Sequence, residues 1–502
     1  MRIPRRRLLR AGAAGAGAVV LAGCERAVSG AAALLGQRVP DRVTLCDAEA
    51  PDPAFHLLQR AGLGPWPGEV EAVREQGIPA WIEEQIHLGP SDDVASELRA
   101  RRYESLHLPP GDAFEFKRAV IVRELARATL LRAVYSRRRI HEAMVAFWND
   151  HLNIDIGKGA CAWLKPTDDR EVIRPHALGS FRELLGASAL SPAMLVYLDG
   201  KENRVRKPGD RPNENYAREL MELHTLGVHG GYTQHDVMEA ARCLSGRHLR
   251  EGKEFRRGTV EFRAGDHDDG EKSVLGKRIP AGGGERDLDL LLDILCAHPA
   301  TARHVAEKVC RRFVADDPPA SLVERAAAEF RAADLSIAAL VRTVLLSEEF
   351  AAARGTKVKR PFHFVVSALR ALGADTHADP ALLDFLSRLG HAPFQYPTPD
   401  GYPDEPEPWM GTLLWRWNLG IALPAGRVPG VVVDLPALVA AAGGEAAVRS
   451  PADLAPLLFG RKATAAERRA VEGHAPPGTG SGADRFAEGV GILLASPAFQ
   501  RC

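Results

Sequence analysis

The sequence carries none of the short signatures that mark the common enzyme chemistries. It has no GxSxG nucleophile elbow, no HExxH helix, no P-loop, no GxGxxG turn after a strand and no CxxCH haem attachment. Acyl, phosphoryl and dinucleotide chemistry by the usual routes therefore has no local support. Seven cysteines are present but none forms a CxxC pair, which excludes a zinc ribbon and a thioredoxin-type motif. Cys46, Cys161, Cys243, Cys296, Cys310 and Cys502 read as scattered buried thiols, with one or two disulfides open to them in an oxidising compartment. Beyond the N-terminal region no run of eighteen apolar residues occurs, so no bilayer-spanning helix is expected there. Formal charge is zero, with 65 basic and 65 acidic residues. No basic excess points to a nucleic-acid partner.

What is present begins at the N-terminus. "PRRRLLR" precedes an Ala/Gly-rich apolar run that ends in "LAGC". Arg5 and Arg6, followed after one residue by Leu8 and Leu9, look like a twin-arginine export signal, and "LAGC" resembles a lipobox with Cys24 as the lipidated residue. Residues 1–23 then read as a removable signal peptide, and residues 24–53 as a tether. Removing that peptide takes away five arginines and no acid, leaving about −5. The expected location is the cell envelope or periplasm, lipid-anchored. Glu25, where Asp would favour inner-membrane retention, tips this toward the outer membrane.

The remainder predicts a mainly α-helical fold. Apolar residues recur at helical spacing, punctuated by Gly and Pro, from Ala54 onward. A main helical domain is expected over 54–376 and a C-terminal helical unit over 377–502. Between Gly246 and Gly282, "RHL", "TVEFRA" and "KSVLGKRI" predict a small β insertion. "PFQYPTPDGYPDEPEPW" (393–409) carries too many prolines for helix or central strand. It predicts either a rigid loop plugged onto the body or an aromatic wall for a ligand. Residues 473–486 read as a flexible surface loop.

The richest polar stretch is "PNENYARELMELHTLGVHGGYTQHDV" (212–237). Asn213 is expected to cap a helix from Glu214 to Leu226, with Gly227 at its stop. Thr233 is expected to cap the next helix, with Asp236 in a capping box. On the first helix Glu214, Arg218 and Glu222 form an exposed ladder, Asn215 and Glu219 lie at the boundary, and His224 falls within the apolar arc. In Arg138 to Ile154, His151 likewise joins the arc of Ile140, Met144, Phe147 and Trp148. Two inward imidazoles call for partners, and neutral imidazoles bind metals or act as general bases. "DREVIRPHALGSF" adds Arg174 and His176, and "GDHDDGEK" adds Asp266, His267 and Asp268, which turn chemistry already explains.

Taken together, "HLLQRAGLGPWPGEVEAV", "FWNDHLNI", "REVIRPHALGSFRELL", "PAMLVYLDG", "PNENYARELMELHTLGVHGGYTQHDVMEAARCLSG", "HDDGEKSVLG", "FQYPTPDGYPD" and "LLASPAFQ" resemble a bacterial family called domain of unknown function 1800. The pieces run in the family's order through most of 54–500. "CLSGRHL" departs from it, lacking the Trp the family usually places after the Gly. The resemblance implies a large exported protein, often encoded beside a protein of the domain of unknown function 1501 family. It implies no reaction, so it assigns no catalytic residue.

The expectation is one buried polar site where the His151 helix, the Arg174/His176 segment and the Asn213–His224 helix meet. Read as an enzyme, it uses His151, His176, His224 and Glu219 for acid–base work, or His151, His224 and Glu219 as metal ligands. Arg174, Asn213, Asn215 and Arg218 then orient a substrate. Read as a binding or assembly protein, it uses the same residues as a buried network, and the Pro-rich loop docks the co-encoded partner.

Overall fold

A computed structural model describes residues 38–207, 209–252, 256–473 and 481–502. Arg5, Arg6 and Cys24 lie outside the described residues, as does 474–480 of the expected surface loop. The chain is mainly helical, with three two-stranded antiparallel sheets among the described residues.

The elements that position the site are α1 (Pro53–Gly62), α2 (Arg118–Tyr135), α3 (Arg139–His151), α4 (Cys161–Asp168), α5 (Asn215–Glu219), α6 (Gln234–Leu244), α7 (Pro299–Phe313), α8 (Pro361–Ala371), α9 (Leu413–Ala422) and α10 (Gly482–Ala495). Their ends follow local chemistry. Asp52 opens α1 by accepting the Ala54 and Phe55 N–H groups at 2.8 and 3.1 Å, with Pro53 first in the helix. The Thr233–Asp236 capping box opens α6 as predicted. Gly227, at φ +79°, ends the helix before it.

Two hydrophobic cores result. One gathers residues from Ala54 to Ala353, with Phe147 and Trp148 of α3 near its centre. The second joins Ala100–Tyr135 to Phe362–Phe499, so α2 packs with α8. Two strips of backbone stitch the cores together. The Lys359 N–H donates to Gln500 O at 2.7 Å, and Cys502 N–H to Lys357 O at 2.9 Å. Trp148 is fully buried and its indole N–H donates to Ala177 O at 3.0 Å. It thus satisfies its one polar atom inside apolar surroundings.

The β insertion holds β1 (Arg247–Leu249) against β2 (Val260–Phe262) and β3 (Lys272–Val274) against β4 (Lys277–Ile279). Leu275 and Gly276 both take positive φ in the two-residue β3–β4 turn, the twist that suits a tight hairpin. A further pair, β5 (Asp375–Thr376) with β6 (Val431–Val432), has no counterpart in the sequence expectation; two residues per strand are too few for periodicity to register.

The helix expected from Glu214 to Leu226 is in fact α5 followed by a π-helical turn over Leu220–Thr225. The Thr225 hydroxyl donates back to Leu220 O at 2.7 Å, five residues earlier, which suits the wider turn. A second π-turn, Asp169–Ile173, continues α4. Such turns are rare and concentrate at functional sites.

Candidate functional site

The C-terminal end of α3 separates two polar regions. His151 points to one side and Asp150 to the other.

On the first side the structure brings His151 and His224 together, with ring centroids 6.2 Å apart, and adds His304 of α7 at 6.0 Å from His151. The contact is specific. The helix ends before any backbone N–H reaches the carbonyls of Leu223 and His224. His151 Nε2–H donates to His224 O and His304 Nε2–H to Leu223 O, each at 3.1 Å. These two imidazoles therefore cap the π-turn. The His151 proton sits on Nε2, leaving Nδ1 bare, and neither nitrogen of His224 has a hydrogen-bond partner among the described residues. Burial pushes His224 down to about 3 and His304 to about 4, with Lys308 nearby acting in the same direction. His151 is held well below the usual histidine range for the same reasons. The cluster is neutral and closed.

The other expected members do not join it. His176 is half-buried, and its Nδ1–H donates to Val172 O at 2.7 Å within its own helix. Glu219 is half-buried, its carboxyl pushed up by burial and then by the charges of Glu222 and Asp400. Asn213 Oδ1 accepts Asn215 N–H at 3.0 Å, and Asn215 Nδ2 donates to Leu198 O at 3.1 Å. Arg218 pairs with Glu214 at 2.8 Å, as the ladder predicts, and also donates to Gln234 of α6 at 2.7 Å. Glu222 instead accepts from Tyr232. These four tie loops to helices. Among the described residues no group of three or more His, Cys, Asp or Glu side chains is placed to hold a metal ion. The expected set of His151, His224 and Glu219 is therefore not assembled: Glu219, just over one turn before His224, lies closer to the surface.

On the second side lies a cavity of about 100 Å³. Its walls are the Glu142–Asn149 face of α3, Arg174 after the second π-turn, Arg312 and Phe313 of α7, Phe362 and His363 of α8, and Phe394, Tyr402 and Asp404 of the Pro-rich loop. Asp150 Oδ2 lies 2.8 Å from both Arg312 Nη2 and Arg360 Nη1. Asp404 completes a square of charges, 2.8 Å from Arg312 Nε and 3.6 Å from Arg360 Nη1, the first an ion pair without hydrogen-bond alignment. Burial alone would raise Asp150 and Asp404; the two arginines more than reverse that and keep both ionised.

Arg174 is the one expected residue that lines this cavity. The π-turn sets it five residues from Asp169, and its guanidinium bridges Asp169 at 2.7 Å and Glu142 at 2.8 Å. Asn149 donates to Val145 O and Asp169 Oδ1, which orients its amide. After these bonds, Arg174 Nη2, Arg360 Nε, His363 Nε2 and Asn149 Oδ1 remain buried without hydrogen-bond partners among the described residues. All four belong to cavity-lining side chains. Burial, then the charges of Lys359, Arg60, Arg360 and Arg312, holds His363 neutral.

The Pro-rich loop forms one wall of the cavity and is held on the body, as the first of its expected roles has it. Tyr402 and Trp409 pack on His391 at 4.3 and 5.2 Å, the latter stacked. Asn153 holds Tyr396 O and Thr398 O at 3.0 and 2.8 Å, and Tyr197 donates to Pro397 O at 2.9 Å. Gly401, at φ +75°, presses so close to α3 that a Cβ would fall 2.1 Å from Asp150 O. The loop is thus plugged onto the body while Phe394 and Tyr402 wall the cavity.

Sequence reasoning missed Arg312, Arg360, His363, His391 and Asp404 as site residues. The signal was an unpaired acid, Asp150, next to an arc His, with arginines on two distant helices that otherwise bury apolar faces. The family model described as Protein of unknown function (DUF1800) matches residues 56–501. No curated protein and no solved structure matches the chain. The chain belongs to the DUF1800 family.

Proposed function

For this member of the family, we propose an exported, lipid-anchored envelope protein that binds a small organic molecule with a carboxylate-like head in the cavity beside Asp150. One observation carries the binding reading: donors on Arg174 and Arg360 and a ring nitrogen of His363, all on cavity-lining side chains, are buried without partners among the described residues. A buried polar group left unpaired costs about 1–3 kcal/mol, so several around one cavity favour an occupant that supplies acceptors. The intervening wall of Leu63, Ala143, Val145, Ala146, Phe313 and Phe362 suits an apolar body. Asn149 Oδ1 offers a single acceptor for a donor on the same ligand.

A panel of small aliphatic and aromatic carboxylates, added to the full chain during thermal unfolding, tests this. At least one is expected to raise Tm saturably, and Ala146→Leu, which fills the wall, is expected to abolish the rise. A panel without effect on the parent overturns the reading.

A second reading is acid–base catalysis at the same place. Its support is the unpartnered Nε2 of His363 among the cavity-lining side chains, a ring nitrogen available to exchange a proton with a bound molecule. Turnover lost in His363→Gln with ligand binding retained would favour it. Export and anchoring rest on Arg5, Arg6 and Cys24. Mass spectrometry of the cell-derived protein should find a diacylated N-terminal Cys24, and Cys24→Ala should release the protein from the membrane fraction. Docking of a co-encoded protein of the domain of unknown function 1501 family through 393–409 remains the assembly alternative, tested by co-purification.

A further inference from the structure

The helix that follows the cavity loop presents an apolar stripe to solvent. Met410, Leu414, Trp417 and Ile421 are 49, 61, 45 and 36% exposed. Their spacing of four, three and four residues places them on one face of α9 and the short turn before it. From Pro408 to Gly426 the only ionisable side chain is Arg416. It is fully buried, donating to Lys359 O at 2.8 Å and Gln500 Oε1 at 3.1 Å. In a chain with 26% charged residues, this segment offers solvent no charge of its own. The opposite face of α9 is committed, with Leu419 and Leu423 buried and the helix packed against α10.

We propose that this stripe seats the protein on a lipid bilayer, with Trp417 at the headgroup boundary and Leu414 and Ile421 reaching the acyl region. Two observations select a bilayer over a protein partner. Four side chains at these exposures present on the order of 400 Å², about half of the ~800 Å² per partner that a stable protein interface buries. A bilayer needs only a few such side chains, inserted about 5–10 Å. The stripe itself carries no charged side chain to fix register with a protein, while Trp beside aliphatic residues suits the interface of lipid and water. The seat lies directly after the loop that walls the cavity: Trp409, one residue before Met410, stacks on the cavity-lining His391. This inference does not depend on the ligand reading.

Tryptophan fluorescence of the full chain with phosphatidylcholine vesicles tests it. Vesicles with brominated acyl chains should quench the parent more strongly than Trp417→Phe. The double variant Leu414→Asn/Ile421→Asn should bind at least tenfold more weakly, at low and high salt alike, because the contact is uncharged. Equal quenching of parent and Trp417→Phe overturns the proposal. So does a parent that self-associates in sedimentation without vesicles and becomes monomeric in the double variant, which would make the stripe a contact between copies. The melting temperature of each variant is measured beside its binding, and weaker binding by a variant that still unfolds cooperatively is the result expected.

Discussion

Asp150 and His151 are neighbours in sequence, yet they serve two regions built on opposite principles. The His151 side is a closed packing of neutral rings that caps a π-turn. The Asp150 side is a square of opposite charges around open space. The first satisfies the backbone and leaves its remaining ring nitrogens to the apolar core. The second satisfies its charges and leaves further buried donors without partners among the described residues. An inward histidine is therefore a weaker sign of a site than a buried charge beside a cavity.

The sharpest way to break the comparison is Asp150→Ala, which leaves Arg312 and Arg360 facing each other. Removing one partner of a buried ion pair costs about 3–5 kcal/mol, and urea denaturation should show a loss of this size. A loss below about 1 kcal/mol would mean that Asp404 alone balances both arginines.

Acid should strike the histidine side first. His224 and His304 titrate at about 3 and 4 in the fold, and His151 is also held low, all against about 6.5 when unfolded. Because the unfolded chain takes up these protons first, stability is complete above pH 6.5 and falls as pH drops below it. Each histidine contributes up to about 1.4 kcal/mol per pH unit. Several kcal/mol should be lost between pH 6.5 and 5, read from the urea midpoint. A flat profile there would contradict the neutral cluster. The buried carboxylates respond only lower, since their unfolded values lie near 4.

Gly401→Ala tests the Pro-rich loop. Positive φ and the approach to Asp150 O predict a cost of about 1–3 kcal/mol, with faster amide exchange confined to 393–409. Uniform exchange would show that the loop is not held by this contact. The smallest effect is expected for His224→Leu. It removes two ring nitrogens that have no partner among the described residues, so stability should change by less than about 1 kcal/mol and in either direction. A loss of several kcal/mol would reveal a partner for His224.

Much of this was legible from spacing. The arc Ile140, Met144, Phe147, Trp148 and His151 is buried as read, and the Thr233 capping box and the β3–β4 hairpin are where their residues placed them. These are local, and local chemistry leaves a periodic trace. The π-turns were not legible, because a wider turn changes which residues share a face without changing composition. Expecting His176 beside His224 failed because the Val172 carbonyl already engages its ring. The charge square was invisible because Asp150, Arg312, Arg360 and Asp404 stand in four separate segments of the chain, outside the reach of any local pattern. Only folding shows which arginine meets which acid.

The central claim is that the occupied site lies on the Asp150 side and not on the His151 side. Organic extraction and mass spectrometry of the full chain purified from its own cells test it directly, beside Ala146→Leu and His224→Leu prepared in the same way. The account predicts that one small acidic molecule is recovered near stoichiometrically from the parent and from His224→Leu, and is absent from Ala146→Leu. Recovery from Ala146→Leu at the parental level, or its loss in a folded His224→Leu, would contradict it.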